Sequence, residues 1–214
     1  MSSIELKNTS YRYKVGGVTD VSFVVPEGKI ACLLGPSGSG KTTLLKLIAG
    51  FLKPQAGSIV IGGEVIAGEA GRFVPPQERK IGLVFQQHAL FPHLTVAKNI
   101  LFGCTRDSKE ERQDLLKKLL QDFRIEQHEH RYPHQISGGE QQRVAIARAI
   151  ASDPKLLLMD EPFSSLDKVL RDQVQQQCLE VIRARGLTTV MVTHDEESAK
   201  AMGDLIIRLK APQS

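Results

Sequence analysis

Gly35-Pro36-Ser37-Gly38-Ser39-Gly40-Lys41-Thr42-Thr43 decides how the rest of the chain is read. It lies between an apolar run, Ile30-Ala31-Cys32-Leu33-Leu34, and a helical pattern, Leu44-Leu45-Lys46-Leu47-Ile48, so its glycines fall where a buried strand turns into a helix. A loop so placed is suited to phosphate. Gly35, Gly38 and Gly40 let backbone N–H groups converge on an anion without a Cβ in the way, and the new helix adds the positive end of its dipole. Lys41 supplies a full charge for β- and γ-phosphates, and the Thr42 hydroxyl can ligate Mg²⁺. A Gly/Ser loop that merely turns the chain needs neither the lysine nor the threonine.

Upstream of the loop, residues 4–34 form short apolar runs broken by Gly and Pro and predict an antiparallel β region leading into the phosphate-loop strand. Tyr11 and Tyr13 lie there, and either ring can stack on an adenine, although an aromatic on a strand is more often core. Downstream, the helix is expected to stop at Gly50, with Lys53-Pro54 preventing its continuation. Strands follow at 58–61 and 64–66 around a Gly62-Gly63 turn, then a Gly- and Pro-rich stretch, 68–76. Another short buried strand, Ile81-Gly82-Leu83-Val84-Phe85, ends at Gln86, whose amide oxygen is placed to reach a metal or its water; taken alone, it reads as a surface-loop glutamine.

From 88 to 136 the chain changes character. Leu90-Phe91-Pro92-His93-Leu94-Thr95-Val96 is apolar for a loop, either core or a docking patch. Ser108 and Glu111 make a capping box before a helix with Leu115, Leu116, Leu119, Leu120 and Phe123 on one face. His128, His130 and His134 are neighbours without Cys or paired carboxylates at ligand spacing, so they read as a solvated face, not a metal site. Ser137-Gly138-Gly139-Glu140 opens a second capped helix, and its two glycines leave bare N–H groups that suit a second anion site, the alternative being a plain helix cap. Leu156-Leu157-Leu158-Met159-Asp160-Glu161 is a buried strand ending in two carboxylates. Asp160 is suited to holding Mg²⁺ through water and Glu161 to polarising an attacking water. A helix over about 168–185, with Val169, Leu170, Val174, Val181 and Ile182 on one side, leads to a strand, 188–192, that ends at Thr193-His194. The phosphate loop, Gln86, Asp160-Glu161 and His194 thus fall at strand ends, the ligand side of an open α/β sheet.

Composition agrees with a globular unit of this kind. At 214 residues with 41% hydrophobic and 24% charged side chains the chain can bury a sizeable core. A formal charge of +4, spread among acids, gives no nucleic-acid footprint. Cys32, Cys104 and Cys178 are far apart and odd in number, as free thiols of a reducing compartment are. No leader pattern opens the sequence and no apolar run nears the ~18 residues of a membrane span, so any membrane role is expected through a partner.

In order and spacing these residues resemble the nucleotide-binding subunit of ATP-binding cassette (ABC) transporters, over essentially the whole chain. The resemblance implies an α/β fold of the P-loop NTPase, ABC ATPase type, with a mixed core sheet, an N-terminal antiparallel β region and an inserted helical subdomain. It implies one domain over 1–214, a nucleotide-binding core at about 1–87 and 152–214, and a helical signature subdomain at about 88–151. ATP and Mg²⁺ are the implied cofactors. By resemblance Tyr13 is the adenine-stacking aromatic, Gly35 to Thr43 the Walker A loop, Gln86 the Q-loop glutamine and Ser137 to Glu140 the signature motif. Asp160 is the Walker B aspartate, Glu161 the catalytic glutamate, Ser164 to Asp167 the D-loop and His194 the switch histidine. The family works as a dimer in which one subunit's signature closes over ATP on the other's Walker A loop. Ile136 and Glu140 depart from the commoner Leu and Gln, and a carboxylate near the γ-phosphate is tolerable only if it turns back to cap its helix.

Pro75-Pro76-Gln77-Glu78-Arg79, Val84-Phe85-Gln86 and Leu90 to Val96 are similar to importers for ferric iron, molybdate, sulfate, thiamine or polyamines, with ferric iron the first expectation. Such a subunit implies a homodimer across two ATP sites, transmembrane permease subunits, an indirect periplasmic or extracellular solute-binding protein, no nucleic acid, and a place at the cytoplasmic face of the membrane. Many of these subunits carry an extra C-terminal β domain, whereas this sequence ends about 20 residues after His194. The competing expectations are a soluble non-transport ABC ATPase, which would need a long coiled-coil insertion or a second cassette, and a small P-loop phosphoryl-transfer enzyme, which has no use for Ser137 to Glu140 or His194.

Overall fold

The computed structural model describes residues 2–68, 71–86 and 89–210. In chain order the elements are β1 (Ile4–Arg12), β2 (Gly17–Val25), β3 (Ile30–Leu34), α1 (Lys41–Ala49), β4 (Ala56–Ile61), β5 (Glu64–Gly68), β6 (Ile81–Val84), α2 (Val96–Leu101), α3 (Lys109–Asp122), α4 (Gly138–Ala151), β7 (Leu156–Asp160), α5 (Lys168–Ala184), β8 (Thr189–Val192), α6 (Glu196–Met202) and β9 (Leu205–Arg208). They fall into two compact units, Met1–Ile81 with Lys155–Glu161 and Gly186–Ser214, and Gly82–Pro154 with Pro162–Arg185.

Two sheets build the first unit. β2, β1, β4 and β5 pair in that order, antiparallel throughout, with Gly62-Gly63 turning β4 into β5. β7, β8, β3 and β9 lie parallel in that order, with Cys32 of β3 opposite Met191 of β8 and Ile206 of β9. All of β3 and Leu156 to Met159 of β7 are buried. Unbroken apolar runs, without alternation, are what a parallel strand covered on both faces requires. The three parallel strands β3, β7 and β8 therefore deliver Gly35, Asp160-Glu161 and Thr193-His194 to one edge of the sheet.

α1 leaves that edge. It ends as its sequence predicts, at Gly50 with φ of 87°, a left-handed cap whose N–H reaches the Leu47 carbonyl. The carbonyls of the last turn have a further partner that periodicity did not reveal. The buried Arg79 guanidinium donates to the carbonyls of Leu47 (2.8 Å), Ile48 (2.7 Å) and Val74 (2.7 Å), and lies over the Phe73 ring. Burial lowers its pKa to about 10, which keeps the cation that a helix C-terminus favours.

The second unit is built on helices. α4 touches α2, α3 and α5, and its Val144, Ile146, Ala147 and Ile150 are buried, as are Leu115, Leu116, Leu119, Leu120 and Phe123 at α3. This unit takes in 162–185 as well as the helices between 88 and 151, because Gly139 of α4 faces Leu170 and Val174 of α5 across 3.1–3.2 Å from where a Cβ would stand. Val169 corrects the expected buried face of α5: it is 71% exposed. The buried row runs through Val174, Cys178 and Ile182, and a residue five positions before Val174 projects about 140° away from it. Asn99, wholly buried on α2, organises the apolar loop before it. Its side-chain amide donates to the carbonyls of Phe91, Leu94 and Thr95 and accepts from the Phe91 N–H at 2.8 Å.

Candidate functional site

In the first unit, Gly40 opens α1 at φ of 89° with no side-chain cap, so the first N–H groups of the helix stay unclaimed by a side chain. A Cβ there would stand 2.2 Å from Val18 Cγ1, and one at Gly35 would stand 2.7 Å from both the Leu209 carbonyl oxygen and Ser39 Oγ. Only glycine fits either place. The Lys41 ammonium is folded back onto the loop, donating to the carbonyls of Gly35 (2.8 Å) and Pro36 (2.9 Å). Its charge is therefore held inside the turn formed by Pro36, Ser37, Gly38 and Ser39. Ser39 Oγ is buried there without a hydrogen-bond partner, a donor aimed into the loop. Thr43 is buried beneath, whereas Thr42 is exposed.

The Thr42 hydroxyl donates to Asp160 Oδ2 at 3.1 Å. Burial pushes the Asp160 carboxyl above its ordinary range; the Thr42 hydrogen bond opposes this, the adjacent Glu161 charge adds to it, and Lys46 and Lys41 oppose it. A hydroxyl and a carboxylate so close are hard oxygen donors of the kind that hold Mg²⁺ together with substrate phosphates and water. No group of three or more His, Cys, Asp or Glu placed to hold a metal gathers among the described residues.

Glu161 follows β7 with φ of 45°, left-handed for a residue with a side chain, which costs on the order of 1–3 kcal/mol. Its N–H is held by the Val192 carbonyl at 3.1 Å, and its Oε2 lies 3.4 Å from His194 Nδ1. Tyr13, 43% exposed and edge-on to Tyr11 at 4.9 Å, lines a cleft of about 990 Å³ together with Ser39, Arg12 and Lys14. Tyr13, Gly35 to Thr43, Asp160, Glu161 and His194 are thus all carried by one unit.

The second unit carries Gln86 and Ser137 to Glu140. Gln86 is exposed after β6, its amide nitrogen 3.4 Å from Ser164 Oγ. At the start of α4, Ser137 Oγ accepts from the Glu140 N–H (3.4 Å), while Glu140 Oε2 accepts from the Ser137 N–H (2.8 Å), a reciprocal capping box. The other carboxylate oxygen, Oε1, lies 2.8 Å from His128 Nε2. His128 corrects the sequence reading of a solvated histidine face: it is buried, whereas His130 and His134 are exposed. A half-buried carboxylate favours a donor, and the unusual Glu140 was the signal in the sequence that such a partner exists.

The fold defines an α/β protein of the phosphate-loop class. Residues 18–164 match the ABC transporter family, and the chain belongs to it. It is 44% identical over 206 residues to the putrescine transport ATP-binding protein of Escherichia coli (strain K12), covering 95% of this chain and 53% of that protein. It is 47% identical over 191 residues to a sulfate/thiosulfate import ATP-binding protein of Chromobacterium violaceum, covering 89% of this chain and 51% of that protein. With an Fe(3+) ions import ATP-binding protein of Rhizobium meliloti (strain 1021) it shares 46% over 192 residues, 89% of this chain and 47% of that protein. The chain therefore spans about half the length of the curated relatives it matches. Among solved structures, the dimeric MJ0796, a bacterial ABC transporter cassette, superposes with a TM-score of 0.81 at 34% identity, covering 97% of this chain and 94% of that one. A post-hydrolysis dimer of the same cassette bound to ADP and Pi gives 0.79 at 33%, covering 98% and 97%. The ABC ATPase fold is thereby established for this chain.

Proposed function

We propose that this chain is the ATP-hydrolysing subunit of an importer, and that two copies close on a pair of Mg-nucleotides to drive a transmembrane permease. The observation that carries the reading is the contact of Thr42 with Asp160 beside the buried Lys41, with Glu161 and His194 on the adjoining strand ends. In this reading the two compact units work as one domain, a nucleotide-binding core and a helical unit bearing the signature.

Tyr13 stacks on the adenine, and the N–H groups of Gly38 to Thr43 with Lys41 take the phosphates. Thr42 and Asp160 hold Mg²⁺, with Gln86 as a further oxygen donor; when bound, the ion neutralises phosphate charge. Glu161 orients a water and takes its proton as the water oxygen bonds to the γ-phosphorus and the bond to the β,γ-bridging oxygen breaks, releasing ADP and phosphate. His194, beside Glu161, holds that carboxylate in position. Ser137, Gly138 and Gly139 of the partner copy complete the pocket, with Glu140 turned back on its own helix.

The subunit sits at the cytoplasmic face of the membrane against its permease, with a solute-binding protein acting on the far side and no part for nucleic acid. No helix among the described residues is long and apolar enough to cross a membrane. For the solute, ferric iron is our first proposal, supported by the 46% identity to an Fe(3+) import protein; putrescine and sulfate, from relatives at 44% and 47%, are its rivals. Glu161→Gln tests the core of the reading: it should bind ATP, hydrolyse it roughly 10²-fold more slowly and accumulate as a dimer. A saturated variant that stays monomeric refutes it. The permease that co-purifies with the chain tests the solute.

A further inference from the structure

Glu140 sits three residues inside the N-terminus of α4, next to the bare N–H groups of Gly138 and Gly139. A carboxylate there is attracted to the same positive helix end as an incoming phosphate and competes with it. The structure disposes of this charge with two partners, one for each oxygen: the Ser137 N–H holds Oε2 and His128 holds Oε1, both at 2.8 Å. Burial by itself would raise the Glu140 carboxyl, but the Ser137 hydrogen bonds and His128 together hold it below its usual range.

We infer that His128 is a positioning residue for the signature cradle: it keeps the Glu140 carboxylate turned back onto its own helix, so that Gly138 and Gly139 meet the partner copy's nucleotide without a competing negative charge. The inference rests on the dimeric ATPase reading above. His128 comes from the short turn Glu126–His128 beyond α3, so the cradle is braced from outside its own helix. A carboxylate oxygen can only accept, so Nε2 carries the proton and donates to Oε1; the Gln127 amide nitrogen, 3.1 Å from the same ring nitrogen, is itself a donor and makes no hydrogen bond to it in that tautomer. Nδ1 is buried without a hydrogen-bond partner, which leaves Glu140 as the polar contact that accounts for a histidine here. The Ser137 hydroxyl also gains. It is used as an acceptor by the Glu140 N–H, so its own proton stays available to donate to an anion.

The test is a double-mutant cycle of His128→Leu and Glu140→Gln in the Glu161→Gln background, read as the ATP concentration for half-maximal dimerisation, with KM and kcat measured separately without the Glu161 change. Leu removes the donor and leaves the carboxylate loose; the expected result is a roughly tenfold higher midpoint and KM with little change in kcat. Glu140→Gln alone sets the reference level of the cycle, and the double variant should match it, because a neutral amide needs no restraint. His128→Gln, which keeps a donor, should lie within about twofold of the parent. A double variant as impaired as His128→Leu reduces His128 to packing and overturns the inference, as does a His128→Leu variant that behaves like the parent. If His128→Leu fails to fold, a double variant that folds and dimerises normally supports the inference, and one that also fails to fold overturns it. If the Glu161→Gln parent itself stays monomeric, the ATPase reading falls and this inference with it; if only the His128 arm fails, the ATPase reading stands.

Discussion

The Thr42 hydroxyl donates to the Asp160 carboxylate at 3.1 Å, so the second residue of α1 and the last of β7 share one point in space. The carboxyl pays for this position, since burial raises its pKa more than Thr42 and the nearby lysines lower it. A folded-state pKa above the unfolded value gives stability that is present below the ordinary Asp range and lost as pH rises through the folded value. Asp160→Asn should therefore melt at a higher temperature than the parent at neutral pH, in the absence of nucleotide. The gap should close as pH falls to about 4. Thermal unfolding across that range checks it, and a lower melting temperature for the variant at pH 7 contradicts it.

Lys41→Ala removes the charge that the loop folds around. A contact with phosphate near 4 Å at an effective dielectric of about 20 is worth up to about 4 kcal/mol, so nucleotide affinity should fall by at least tenfold and by as much as ~10³. Fluorescent-nucleotide titration measures this directly. Because the ammonium also ties Gly35 to Pro36 through their carbonyls, the loop should become more susceptible to proteolysis in the same variant.

Gly40→Ala should fail for two separable reasons. Its Cβ would stand 2.2 Å from Val18 Cγ1 and 2.9 Å from the Gly17 carbonyl oxygen, and a φ of 89° is strained for alanine, together about 2–4 kcal/mol of lost stability. Adding Val18→Ala relieves only the side-chain part of the collision. The double variant should recover part of the stability in urea unfolding but remain below the parent; full recovery would show that neither the backbone contact nor the backbone angle carries strain.

At Glu161 the backbone and the chemistry pull in opposite directions. Its φ of 45° suits glycine, which saves about 1–2 kcal/mol of left-handed strain and gives back about 0.5–1 in chain entropy. Glu161→Gly should unfold at equal or slightly higher denaturant concentration than the parent while hydrolysis drops by roughly 10² or more. A marked loss of stability would mean that the glutamate side chain supports the fold.

The phosphate loop, the hairpin at Gly62-Gly63 and the two carboxylates after Met159 were legible because each is a local pattern whose chemistry is complete within a few residues. The parallel strands were equally legible, since burial on both faces demands unbroken apolar runs. What the sequence hid depends on distant partners. His128 lies in a polar stretch, Glu126 to His130, yet it is buried, and the carboxylate that meets it there, Glu140, comes twelve positions later. Asn99 looks like an ordinary helix residue until the three carbonyls of the preceding loop converge on its amide. Val169 looked apolar enough for the buried face of α5, but it projects about 140° away from the row that packs.

Arg79 fastens the far end of α1 by gripping the Leu47 and Ile48 carbonyls and, at the same time, the Val74 carbonyl. A nine-residue helix is a strut only ~13 Å long, with the phosphate loop at its head and this guanidinium riveting its foot. Such a strut cannot slide along its own axis without tearing the rivet, and the same rivet ties its foot to Val74.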